Sequence, residues 1–157
     1  MALFKTLLTN NSTVNSATLT ELPVFNTTPV INEGVFTVTS SSITVPESGI
    51  YFCTFNCYFT STVARASVGV GFGINGVLQN EVSASGYIRA ASGHNESSNN
   101  LQATFNLKAG DTVSLFFQQA AQTGTVNLIG ANSSRSIAKI VQTQGGLISS
   151  GLAIYLD

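Results

Sequence analysis

Residues Ser48–Phe59 read SGIYFCTFNCYF and hold both cysteines of the chain, four positions apart, among five aromatic side chains. Tyr51, Cys53, Phe55, Cys57 and Phe59 share one parity and are wholly apolar, whereas Ile50, Phe52, Thr54, Asn56 and Tyr58 are mixed. A period of two with one apolar set is the pattern of a β-strand that buries one face. On such a strand Cys53 and Cys57 stand ~13 Å apart, at ~3.3 Å per residue. A disulfide needs Cα atoms within about 7 Å, so an intrastrand bridge is excluded. A zinc site would need further Cys, His or acidic ligands close by, and the single histidine, His94, lies in a distant polar stretch. Both thiols are therefore expected to be reduced and buried as small hydrophobes. The alternative is one cysteine facing its mate across a subunit boundary.

Outward from this strand, 157 residues suit one domain with a full core. The hydrophobic share of 43% supports a folded globule, but the charged share is only 8%, against roughly 25% in ordinary soluble domains. Ser, Thr and Asn supply about a third of the chain instead. A surface of neutral hydrogen-bonding groups can be buried against copies of itself without stranding charges, and the cores of interfaces are depleted in charge. A net charge of −1 with six scattered Lys and Arg argues against a nucleic-acid surface. No run approaches the ~18 apolar residues of a membrane span. The start, MALFKTLLTNNST, is too short and broken in its apolar part for a secretory leader, so none is expected.

The whole chain reads as strands and turns. Residues 1–30 are polar and mixed, with Pro23 and Pro29 and no clean period, and are expected to form an extended arm. Alternation begins with Val35–Val38 and Ile43–Val45. Pro46-Glu47-Ser48-Gly49 makes a turn into Ile50–Phe59. In ARASVGVGFGIN, residues 64–75, Val68, Val70, Phe72 and Ile74 alternate with Gly69, Gly71 and Gly73. Asn75-Gly76 is a strong hairpin signal, and Val77–Ile88 returns. Residues 90–99 read as a polar loop. Strands are expected at Leu101–Leu107, Val113–Gln118, Val126–Ile129 and Ser134–Val141, followed by a glycine-broken tail with an apolar end. Many short strands with regular turns indicate an all-β sandwich or jelly roll.

Gly71-Phe72-Gly73-Ile74-Asn75-Gly76 matches G-x-G-x-x-G, but a dinucleotide site needs that pattern to open a helix. Here it runs inside a strand into a hairpin, and the glycine face is better read as letting another strand or subunit approach the backbone. His94 beside Asn95 and Glu96 has no nucleophile with an orienting partner and reads as a solvated loop residue. Glu47 and Glu81 are single carboxylates, so a two-carboxylate hydrolase is not indicated, and Asp111 reads as closing a turn. No catalytic residue, cofactor or metal is expected. A glycan hydrolase is the remote third reading of function.

Two stretches carry a resemblance. Ile43-Thr44-Val45-Pro46-Glu47-Ser48-Gly49-Ile50-Tyr51 resembles the I-x-V-P-x-x-G-x-Y signature of the complement globular-head and tumour-necrosis-factor jelly rolls. Leu107-Lys108-Ala109-Gly110-Asp111-Thr112-Val113-Ser114-Leu115 resembles their L-x-x-G-D-x-V-x-L turn. The similarity spans residues ~35 to ~141. It implies a jelly-roll β-sandwich of about ten antiparallel strands, assembled as a homotrimer. By this likeness Ile50 and Phe52 line the three-fold axis, while Tyr51, Cys53, Phe55, Cys57 and Phe59 form core. The organisation expected is an arm at 1–30 for docking on a particle, a jelly roll at 31–142, and a tail at 143–157 packing on a neighbour.

The chain shows no collagen stalk or membrane anchor, and similar heads occur on bacteriophage fibres and capsid decorations. The expected function is therefore a virion structural protein. It would be made in the host cytoplasm and would sit on the particle surface as a trimeric capsid decoration or head fibre. Its partners would be its own copies and, through the arm, the major capsid protein or other virion proteins, with neither nucleic acid nor membrane. The alternative is the receptor-binding tip of a fibre, with loops such as 90–99 touching host glycan or protein.

Overall fold

The computed structural model describes residues 2–8, 12–89, 92–120 and 125–140. Its strands are β1 (Leu3–Leu7), β2 (Ser12–Thr13), β3 (Thr20–Glu21), β4 (Ile31–Glu33), β5 (Thr37–Val38), β6 (Ser42–Thr44), β7 (Gly49–Ser61), β8 (Ala66–Ile74), β9 (Val77–Ile88), β10 (Glu96–Leu107), β11 (Thr112–Ala120), β12 (Val126–Leu128) and β13 (Ser134–Ile140). Ten of these have three residues or more; β2, β3 and β5 have two. Among the described residues the helical content is one 3₁₀ turn, Gly130–Asn132.

The strands form two sheets, antiparallel throughout. Sheet I is built on β7. One edge of β7 pairs with β10 over its length, and the other pairs first with β13 and then with β12. β1 and β4 continue outward from β13, and β2 from β12. Sheet II runs β5-β6-β11-β8-β9, with β3 on the same edge of β11 as β6. The apolar set of the opening stretch points between the sheets: Tyr51, Cys53, Phe55, Cys57 and Phe59 are all buried. Opposite them lie Val68, Val70, Phe72, Val113, Leu115 and Phe117. Phe55 and Phe59 meet Phe117 edge-on at centroid distances of 5.8 and 6.3 Å, and Phe72 meets Phe105 at 5.6 Å. Each such ring contributes roughly 1.5–3 kcal/mol by burial.

The two resembling stretches meet at one end of the sandwich. The Val45 amide donates to the Asp111 carbonyl and the Gly110 amide to the Val45 carbonyl, both at 3.0 Å. The Ala109 amide donates to Ser48 Oγ at 3.0 Å, and Asp111 Oδ2 accepts from the Lys108 amide at 2.7 Å. Gly110 takes φ +89°, which an L side chain rarely adopts. Asn75 and Gly76 take φ of 51° and 75°, the double left-handed turn that their dipeptide favours. Asn75 Nδ2 then reaches Asp111 Oδ1 at 2.9 Å, joining the hairpin to the same cluster.

Three sequence readings need correction. Residues 2–8 and 12–30, the described part of the expected arm, pack on the sandwich rather than extending freely from it. LFKTL places Phe4 and Thr6 inward, and Ala2, Phe4, Leu8, Val14, Val24 and Phe25 are all buried. Thr6 is tolerated inside because its hydroxyl lies 3.0 Å from both the Leu7 and the Asn26 carbonyls, to which it can donate. Residues 96–99 are strand rather than loop, since β10 pairs with β7 from Glu96↔Thr60 onward and Asn99 donates from Nδ2 to the Val68 carbonyl at 2.8 Å. Val35 is not in a strand but follows the turn at Gly34, with φ 61°, and the strand there is Thr37–Val38. Within the protomer, side chains of the adjacent β11 lie over the glycine face of β8. A Cβ at Gly69 would meet Gln118 Cγ at 2.7 Å, and one at Gly73 would strike the Phe116 ring and the Ser114 hydroxyl. The tail at 143–157 lies outside the described residues.

Candidate functional site

The register of sheet I sets out what its outer face presents. Strand order across the face is β10, β7, β13, β1, β4. One row runs Thr104, Phe52, Ala138, Leu3, Glu33, and the row below it runs Asn106, Ile50, Ile140. The rows above run Gln102, Thr54, Ser136, Lys5, Ile31, then Asn100, Asn56, Ser134, Leu7. Phe52, Leu7 and Ile140 are 38%, 40% and 43% exposed, large for apolar side chains. Ile50, Leu3 and Ala138 are half-buried beside them. Across β10, β7 and β13 the only charged outward residue is Glu96, at the far end. Asn100 Nδ2 donates to Asn56 Oδ1, and Gln102 Nε2 to Asn100 Oδ1 at 3.3 Å, so the polar rows form a neutral amide ladder.

Ile50 and Phe52 thus share this outer face, while the five alternating residues lie inside. Leu3, Leu7, Ile31, Ala138 and Ile140 were missed, since Lys5 between Leu3 and Leu7 and Thr6 behind them blur the parity of β1. Glu47, read as a lone carboxylate, has a partner 92 positions away: Lys139 Nζ lies 2.6 Å from its Oε2. The Lys139 ammonium holds the Glu47 carboxyl below its usual range. To reach it, the Lys139 stem crosses Gly49 so closely that a Cβ there would stand 2.5 Å from Cε.

Inside the sandwich the thiols are inert. Burial pushes Cys53 up to about 11 and Cys57 up to about 12, and Cys57 Sγ donates to the Asn99 carbonyl at 3.4 Å. Both are free and buried. Among the described residues no group of three metal-ligating side chains occurs.

At the end of the sandwich opposite the knitted turns, Tyr87, Arg89, Gly93, His94, Asn95 and Glu96 line an open cleft of about 410 Å³. Both of its flanks are pinned. The Arg65 amide donates to the Arg89 carbonyl at 3.3 Å, and the Ser61 amide to the Asn95 carbonyl at 2.9 Å. A hydrogen bond with the Glu96 carboxylate pushes the Tyr58 phenol up.

No family model matches the chain, and no curated protein matches it in sequence. Solved structures do. The crystal structures of murine APRIL at pH 8.0 and at pH 8.5 each superpose with a TM-score of 0.55 at 16% identity, covering 88% of this chain and 98% of theirs. The fold is a tumour-necrosis-factor-like jelly roll. At that identity the likeness concerns the arrangement of strands alone.

Proposed function

We propose that the protein is a non-catalytic structural module that assembles as a homotrimer through the outer face of sheet I and serves as a capsid decoration or head-fibre protein of a bacteriophage virion. The observation that carries this reading is that face itself: an apolar cluster around Phe52, framed by neutral amides and hydroxyls across β10, β7 and β13, with Lys5 and Glu33 only at the β1–β4 side. Burying it strands no charge at its centre, as the core of an interface requires. Obligate interfaces bury on the order of 2,000 Å² or more, so the isolated protomer is expected to be poorly stable. The low overall charge and the Ser, Thr and Asn content suit a particle surface. Because residues 2–8 are built into sheet I, contact with a major capsid protein falls to the folded trimer rather than to a free arm.

Phe52→Asp places three carboxylates at the centre of the assembly and is expected to yield monomers. The capsid role is tested by co-sedimenting the pure trimer with bare capsids; failure to bind removes it. A second reading, the receptor-binding tip of a fibre, is favoured by the cleft at Tyr87–Glu96. Binding of the trimer to host cells, with none to capsids, would select it.

A further inference from the structure

In a chain with 8% charged residues and a single histidine, one cleft gathers a guanidinium, an imidazole and a carboxylate around a phenol ring. Tyr87 stands on the outer side of β9, opposite Ser67 in register, and is 55% exposed. At that exposure about half of the side chain is open to solvent. Arg89 follows two positions later on the same side. Among the described residues the one ion pair is Lys139 with Glu47, and Arg89 forms none with them. Arg65 adjoins through its backbone bond to Arg89, so two of the six Lys and Arg meet beside the cleft. The Glu96 carboxylate is already engaged by Tyr58. In the lining Arg89 and Glu96 carry opposite charges, and Arg65, beside the lining, supplies the excess positive charge at this end of the sandwich.

An exposed aromatic ring offers an apolar face to the C–H side of a pyranose, and a fixed guanidinium pairs with a carboxylate through two parallel bonds. Amide and carboxylate groups at the margin exchange hydrogen bonds with hydroxyls. We propose that the cleft binds an acidic carbohydrate, with its sugar ring on Tyr87, its carboxylate on Arg89 and its hydroxyls toward Asn95 and Glu96. His94 stands at the exposed margin. The proposal rests on the receptor-tip reading and names the ligand class of that reading's cleft.

The test is calorimetric titration of the full chain with an oligosaccharide containing glucuronic acid, and with the same oligosaccharide after carboxyl reduction. The acidic form is expected to bind at least tenfold more tightly, with affinity falling as salt rises. Arg89→Ala and Tyr87→Ala should each weaken binding at least tenfold at unchanged melting temperature and assembly mass, and Lys108→Ala, at the far end of the sandwich, should leave it unchanged. Equal affinity for the two sugars, or binding that ignores both cleft substitutions, overturns the proposal. If the trimer binds host cells yet neither sugar, the ligand class falls while the receptor reading stands. If it binds neither cells nor sugars, both fall.

Discussion

Arg135→Met tests the energetics of the sandwich where they are least intuitive. Arg135 is fully buried between the sheets. Nη1 donates to the Val113 carbonyl at 3.2 Å, whereas Nε and Nη2 have no hydrogen-bond partner. The Cys53 thiol lies alongside, but as a neutral S–H it is only a weak acceptor for them. The guanidinium carbon sits 5.0 Å from the Phe25 ring centre and 5.4 Å from that of Phe72.

Burial pushes Arg135 down from the usual guanidinium range to about 10, a difference worth about 3 kcal/mol against the charged form at ~1.36 kcal/mol per unit. Methionine removes that cost and keeps an unbranched stem. It also forfeits two ring contacts at about 1 kcal/mol each and one hydrogen bond of about 1 kcal/mol. The terms nearly cancel, so stability should change by no more than about 1 kcal/mol, or about 4 °C in melting temperature. Phe72→Ala, by contrast, should cost about 3–5 kcal/mol.

The assay is thermal melting at fixed protomer concentration, because assembly makes the midpoint concentration-dependent. The folded value of Arg135 is the lower one, so the unfolded chain binds that proton more tightly, and Arg135 alone contributes stability that grows as pH climbs above about 10. The buried thiols, pushed up to about 11 and about 12, act in the opposite sense over the same range. The expected signature is therefore the difference: above pH 10 Arg135→Met should lose stability more steeply than wild type. A loss of about 3 kcal/mol or more in Arg135→Met would refute the reasoning, because it would mean the charge has a compensating partner.

Two further outcomes are expected. Cys53 and Cys57, pushed up to about 11 and about 12, should resist a thiol-titrating disulfide in the native protein at pH 8 and react, both of them, only on unfolding. Fast native labelling or a disulfide-linked dimer on a non-reducing gel would contradict their burial. Gly73→Val drives a branched side chain into the Phe116 ring and the Ser114 hydroxyl and should cost about 1–3 kcal/mol, read as a lower melting temperature. An unchanged midpoint would mean that the β8 glycines are not covered by β11.

The central strand was legible because its two parities differ so sharply, and because the turns at 46–49 and 108–111 carry residues fitted to tight backbone paths. What escaped did so for local reasons. In β1 the inward positions are Phe4 and Thr6, and a threonine at the second hides the alternation unless its bond to the Asn26 carbonyl is known. In β10 the inward residues Ser97 and Asn99 read as loop, since nothing in the sequence announces the Val68 carbonyl that Asn99 meets. Arg135 occupies an inward position of β13 that composition alone assigns to solvent. The Glu47–Lys139 pair and the cleft both join segments that only the folded topology brings together.

The most direct test is the mass of the undisturbed chain in solution. Sedimentation equilibrium across a hundredfold dilution should give one species at about three times the 16.4 kDa protomer, reduced to one protomer by Phe52→Asp. A well-folded wild type that sediments at 16.4 kDa throughout would mean that the outer face of sheet I joins no copies.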